Sequence, residues 1–129
     1  MLLVWQAIEQ SPGYALLAGA LERHLGPTVA AIMRAPFLFT ESETLRTLVV
    51  AAGFRDVAVR RTSGTLRLSS TDHLLRVQIA ASPLAGPFRA ADEDTRVALL
   101  ADCRTALRPY EDAQGVAFPM GAFLTVAHT

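Results

Sequence analysis

Apolar residues recur along this chain at two spacings, one of about two residues and one of three to four, and the alternation predicts a mixed α/β chain. Leu2-Leu3-Val4-Trp5 is a short apolar run that suits a buried strand. Ser11-Pro12 reads as a cap followed by proline at the first helical position, and Tyr14, Leu17, Leu21 and Leu25 then repeat at helical spacing. Gly26-Pro27 stops that helix, and a shorter one is expected over Val29 to Arg34, ended by Pro36. Thr40-Glu41-Ser42-Glu43 has the form of a capping box before an apolar stripe of Leu45, Leu48, Val49 and Ala52. Gly53 then supplies a left-handed C-terminal position and Phe54 a side chain to pack back on the last turn.

The second half repeats the alternation. Asp56 to Thr62 alternates and is rich in β-branched residues, so a strand is expected, with a turn at Ser63-Gly64 before an extended Thr65 to Leu68. Ser70 caps a helix carrying Leu74, Leu75, Val77, Gln78 and Ile79 that closes near Ser82-Pro83. Leu84 to Ala90, interrupted by Gly86-Pro87, is expected to be a loop. Asp92, Glu93 and Asp94 open a further helix with Arg104 and Arg108 near its end, which suits the helix dipole at both ends. Its core side is expected to carry Val97, Leu100, Cys103 and Leu107, with Pro109 as terminator. After a polar turn at Glu111 to Gly115, Val116 to Met120 and Gly121 to Ala127 are extended, the latter as a closing strand. The pattern predicts one α/β domain over residues 1–129.

Composition narrows the classes of function. At 129 residues and 51% hydrophobic, the chain is long enough for one ordinary core and too apolar for a disordered segment. Twelve basic residues balance twelve acidic ones, so no basic face is expected and nucleic acid is not a partner. All the basic residues are Arg, which excludes Schiff-base lysine chemistry. A single cysteine, Cys103, excludes an internal disulfide, and no apolar run approaches a membrane span. The N-terminus lacks a basic segment and is interrupted by Glu9, so a cytoplasmic protein is expected.

The chemical inventory is thin. No glycine-rich phosphate loop follows a strand, and His24, His73 and His128 have no metal-ligand spacing. His24 suits a helix C-terminus, His73 a solvated first turn beside Asp72, and His128 a frayed end. Cys103, on an apolar helix face, reads as an inert buried thiol. Aromatic and large apolar groups are the remaining candidates. Trp5 and Tyr14 flank a loop leaving a strand, the usual place for a ligand in open α/β sheets. Phe37, Phe39, Phe118 and Met120 lie in apolar segments suited to the same crevice, and with His73 they complete the substrate-binding candidates. A small apolar molecule is the expected ligand.

Four segments in order carry a resemblance. "LRTLVVAAGF" followed at once by "RDVAVRRTSGTLRL" resembles the helix and sixth strand of class I S-adenosylmethionine-dependent methyltransferases, most closely the ubiquinone and menaquinone biosynthesis type. "SSTDHLLRVQIAASPLAG" looks like the helix inserted over the family's substrate crevice, and "GVAFPMGAFLTVAHT" is similar to its seventh, antiparallel strand. "LLVWQAIEQSPGYALLAGALERHLG" resembles the fifth strand and the helix after it. The resemblance spans the chain yet covers only about the second half of the family domain.

It implies a partial Rossmann-like sheet of strands five, six and seven with covering helices, and S-adenosylmethionine as the family's cofactor. The family grips that cofactor through its first four strands, which have no counterpart among these residues. No catalytic or cofactor-binding residue is carried over, and the chain alone is expected to bind no cofactor. Losing the neighbouring strand would leave the one at Leu2 to Trp5 with an open apolar edge. The expected consequence is a homodimer, or a partner chain supplying the missing half. Two further readings stand beside it: a non-catalytic dimeric module for a small ligand or a protein, and an unrelated α+β enzyme. A start inside a strand is what either a natural half-protein or a mis-started fragment would give.

Overall fold

The computed structural model describes all residues from Met1 to Thr129. The chain is α/β, built on an open antiparallel sheet. Strands β1 (Leu2–Trp5), β2 (Arg55–Leu68), β3 (Glu111–Asp112) and β4 (Gly115–His128) alternate with helices α1 (Pro12–Leu25), α2 (Pro27–Arg34), α3 (Ser42–Ala51), α4 (Thr71–Ala81), α5 (Ala85–Ala90) and α6 (Glu93–Leu107). The main sheet order is β1-β4-β2, and β3 forms a short hairpin with the start of β4.

β4 is the centre. It pairs antiparallel with β2 from Val116↔Leu68 to His128↔Arg55, and with β1 from Ala122↔Trp5 to Thr125↔Leu2. The turn expected at Ser63-Gly64 does not form. β2 runs straight through it for 14 residues, because an equally long β4 lies alongside and Gly64 pairs with Met120. Pro119 is accommodated in β4 because it lies between the β3 and β1 pairings, where one side of the strand is an edge. His128, expected to fray, pairs with Arg55. At the same end of β2, Asp56 takes a positive φ of 52° where the register shifts between Arg55 and Ala58, a bulge that re-aims the strand.

The core lies between this sheet and the helices. Leu17 and Leu21 of α1, Leu74 and Leu75 of α4, Leu99, Cys103 and Leu107 of α6, and Val116 and Phe118 of β4 are all buried in one cluster. Gly13 admits Phe118: a Cβ on Gly13 would stand 2.2 Å from the phenylalanine ring. Gly115, at φ 128°, turns the chain into β4 so close to β2 that a Cβ would stand 2.1 Å from the Leu68 carbonyl oxygen.

Several local expectations need correction. α3 begins at Ser42 rather than after a Thr40 cap; Glu41 occupies the cap position without a side-chain bond, and Glu43 pairs with Arg46 instead. The C-terminal end of α3 is as expected: Phe54 N–H donates to the Val49 carbonyl and Gly53 N–H to that of Val50, with Gly53 at φ 96°. The α3 stripe, however, is mostly uncovered, with Leu45 buried but Leu48 54% exposed. On α6 the buried positions are Leu99, Cys103 and Leu107, while Val97 is exposed and Leu100 half-buried. Ser11 precedes α1 without capping it; its buried hydroxyl accepts instead from Gly121 N–H. Ser70 and Asp92 do cap, accepting from His73 N–H at 3.0 Å and Thr95 N–H at 2.7 Å.

The segment expected as a loop from Leu84 to Ala90 contains α5. Proline is tolerated at position 87 because it falls in the first turn, where its missing N–H has no helical partner anyway. The C-terminal carbonyls of α5 are taken up by one side chain: Arg96 Nη1 donates to Arg89 O at 3.2 Å and to Ala91 O at 2.7 Å.

Charge pairs join the helices to one another and to the sheet. Asp102 of α6 receives Arg23 of α1 in a two-point contact, both at 2.8 Å, with His24 Nε2 at 2.9 Å. The Arg23 hydrogen bonds, seconded by His24, hold the Asp102 carboxyl below its ordinary pKa. Arg104 likewise lowers Asp72, and Arg67 lowers Asp112. The free thiol of Cys103 is fully buried, and desolvation pushes it up to about 12, so it is inert as expected.

Two outcomes follow for stability. Gly13→Ala should cost about 1–3 kcal/mol in urea denaturation by overpacking against Phe118, and Gly13→Ala with Phe118→Leu should recover part of that loss. Carboxylates with lowered native pKa release protons on folding, so their contribution is present above the unfolded value near ~3.9 and is lost as pH falls through the lower native value. The denaturation midpoint should therefore fall progressively as pH drops below about 4, and Asp102→Asn should flatten that fall.

Candidate functional site

Four of the residues singled out from sequence converge where β1 ends. Trp5 closes β1, Tyr14 lies in the first turn of α1, Phe37 sits in a single 3-10 turn (Ala35–Phe37) after α2, and Met120 points from β4. They line a cavity of about 130 Å³ with Ile32, Met33 and Gln78. The rings are mutually packed: Trp5 and Phe37 centroids lie 6.4 Å apart, Tyr14 and Phe37 5.6 Å. Phe118 is beneath, edge-on to Tyr14 at 5.4 Å, and supports the floor rather than lining the space. An adjoining cleft of about 370 Å³ shares Trp5, Tyr14 and Met120 and extends along β2 from Thr62 to Leu66.

Local sequence explains the convergence. Gln6 is buried and holds the chain as it leaves β1: its backbone N–H donates to Gly121 O and its side-chain Nε2 to Ala122 O, each at 3.0 Å. That double contact seats Trp5 against β4. Pro12 starts α1 at once, which brings Tyr14 over the same strand. Pro36 then bends the chain after α2 and presents Phe37 from the far side.

Three polar side chains line the cavity, Tyr14, Gln78 and Ser82, and the Ser82 hydroxyl is committed to the Gln78 carbonyl at 2.6 Å. Gln78 Nε2 of α4 donates to the Tyr14 phenol oxygen at 2.6 Å. Burial raises the pKa of that phenol, so it stays neutral and keeps its own O–H as a donor. The site therefore offers an aromatic surround, the Tyr14 hydroxyl and the Gln78 amide, beside a Ser82 hydroxyl already committed to the backbone. It can hold and orient a small apolar molecule carrying a polar group; no thiol and no charged acid or base lines it, and no base stands beside the Ser82 hydroxyl.

The structure does not bring every candidate here. Phe39 is half-buried beyond the 3-10 turn and lines neither space. His73 is half-buried in the first turn of α4, its backbone N–H capped by Ser70, and its ring reaches neither cavity. Gln6 and Gln78 are the residues sequence reasoning passed over. Gln78 lay on an otherwise apolar helix stripe, which was a usable signal; Gln6 had none, since its role depends on a strand more than a hundred residues away. No group of three His, Cys, Asp or Glu side chains stands close enough to hold a metal ion. No helix is long and apolar enough to cross a membrane.

Comparison of the chain with protein-family models, with curated proteins and with solved structures returns no match.

The site's construction is testable through its own residues. Tyr14→Phe should cost about 0.5–1.5 kcal/mol by leaving the Gln78 amide short of a partner, whereas Tyr14→Ala should cost about 3–5 kcal/mol by emptying the aromatic cluster. Chemical denaturation followed through Trp5, the sole tryptophan, reads both.

Proposed function

We propose that the chain is the substrate-side half of a small-molecule methyltransferase of the S-adenosylmethionine-dependent class, holding the methyl acceptor in the crevice around Trp5, Tyr14, Phe37 and Met120 and relying on a separate donor-binding portion for the cofactor. One observation carries the reading. In that class the last three strands lie side by side in the order five, seven, six, with the seventh antiparallel to both neighbours. Here β1, β4 and β2 stand in that order, with β4 antiparallel to both.

The surface supports the idea of a missing portion. β1 is apolar, yet Leu2 is 45% and Leu3 55% exposed, and nothing pairs with its outer edge. This departs from the buried strand expected at that position. Around it Met1, Leu48, Phe54 and Val126 are exposed as well, and Met1, Leu2, Val49 and Phe54 border a hollow of about 250 Å³ beside α3. Thr125 lines the same hollow, and its hydroxyl is buried without a hydrogen-bond partner. The chain's accessible surface is 7508 Å², against roughly 6,700 Å² for a monomer of its mass. That excess is about one partner's share of an ordinary interface. Edge strands of this kind pair with other chains unless they are blocked.

Methyl transfer needs the acceptor and donor aligned with an open path between them, and it need not involve a base or a nucleophile from the protein. In the proposed role the aromatic surround would orient the acceptor and exclude water, while the Tyr14 hydroxyl and Gln78 amide fix its polar group. The acceptor class is then a small, flat, apolar molecule.

Calorimetric titration of the chain alone with S-adenosylmethionine should give no binding, and tight binding would overturn the division of labour. Addition of a donor-binding portion from a protein encoded beside this chain should produce cofactor binding and a larger particle by light scattering. Leu2→Lys, placed on the exposed edge, should abolish that association without lowering the melting temperature. A stable homodimer through the same edge, without cofactor binding, would instead favour a non-catalytic ligand-binding or interaction module.

A further inference from the structure

A second hollow shares no lining residue with the crevice at β1, and its chemistry differs. Helices α4, α5 and α6 enclose a groove of about 560 Å³, within the ordinary range for a small-molecule site. Its walls are apolar: Leu75 and Ile79 from α4, Phe88 from α5, Val97 and Leu100 from α6. The sequence pattern placed Val97 in the core, but it is 59% exposed and faces this space.

The rim is charged, and the charges do not cancel. Two carboxylates border the groove, and both are engaged. Asp72 receives Arg104 at two points, 2.8 and 2.5 Å, and Glu93 receives Arg96 at 3.0 Å. Arg96 is further bound to the carbonyls that end α5, and its guanidinium lies 6.0 Å from the centroid of the Phe88 ring. Arg96 thus fixes one wall. Arg76 of α4 and Arg89 of α5 also border the groove, and neither takes part in an ion pair or a side-chain hydrogen bond. An apolar trough therefore has two uncommitted guanidinium groups at its edge, in a protein whose formal charge is zero.

We propose that this groove binds the carboxylate of a single-chain aliphatic acid, with the alkyl chain along Leu75, Ile79, Phe88 and Leu100 and the head group on Arg76 and Arg89. A planar guanidinium matches a carboxylate in two-point geometry, and its charge favours the ionised acid over the alcohol. The alkyl chain suits a groove whose apolar side chains come from three helices. A cation of the same length meets two repelling charges and no free carboxylate.

The test uses the full chain with decanoate, decanol and decylammonium, each below its aggregation concentration, by isothermal calorimetry and amide chemical shifts. Decanoate should bind at least tenfold more tightly than decanol, with decylammonium weaker still. Lengthening the acid from octanoate to decanoate should tighten binding by up to about fourfold per methylene. Shifts should fall between residues 72 and 100 and leave the Trp5 indole unmoved. Arg76→Gln with Arg89→Gln should erase the advantage of the acid while leaving decanol binding and the melting temperature unchanged. Val97→Glu, on the exposed wall, should weaken decanoate at least tenfold. Absence of binding, equal binding of acid and alcohol, an unchanged affinity in the double variant, or shifts centred on Trp5 would each overturn the assignment. Shifts centred on Trp5 would place the acid in the β1 crevice instead; the other outcomes leave that crevice's reading untouched.

Discussion

The structure depends on one strand being flanked on both sides. β4 is the only strand paired on both sides, and it carries Val116, Phe118, Met120 and Phe123 into buried positions. Its pairing with β2 extends through nearly the whole of both strands, so β2 is held by backbone hydrogen bonds even though most of its side chains face solvent. The helices then settle on β4 by shape. α1 can approach because Gly13 leaves room for the Phe118 ring, and the aromatic cluster around Tyr14 assembles over that contact. Loss of β4 would remove the sheet, the floor of the crevice and the anchor of Gln6 together.

Much of this was legible in the residue pattern, and the failures share a cause. Helices with strong end signals were located well: Pro12 at the start of α1, Ser70 before α4, Asp92 before α6 and Gly53 after α3 each act locally, within a turn of the chain. The errors came where a distant partner overrides a local preference. Ser63-Gly64 has turn chemistry, but twelve aligned partners on β4 keep the strand straight. Pro87 and Gly86 argue against a helix, yet buried Leu84 and the reach of Arg96 impose one. The strand at Leu2 has the composition of a buried one, whereas burial depends on what covers it, and Leu2 and Leu3 stay exposed.

The candidate crevice shows the same division. Its aromatic members were readable because large apolar groups clustered beside prolines that bend the chain. Its polar members were not, because the Tyr14–Gln78 contact joins two helices 64 positions apart. Phe39 and His73 illustrate the converse: each has the right chemistry and a nearby sequence position, but the 3-10 turn after α2 and the cap of α4 direct them elsewhere.

Arginine use connects the interior to the surface. Arg23, Arg67 and Arg104 each make a two-point contact with an aspartate on a different element, which fixes how α1, α6, α4 and the β3 hairpin sit against one another. Such exposed pairs contribute little individually, so their value lies in orientation rather than stability. Lysine would be a poor substitute, since a point charge does not set an angle. Once these pairs are formed, the arginines left unpaired gain meaning by their position. Arg60 and Arg61 lie on β2, where exposed charge discourages pairing along that flank of the sheet. β1, the opposite edge, carries no charge at all. The two edges of one sheet are therefore unequal: one is protected against association and the other is left available to it.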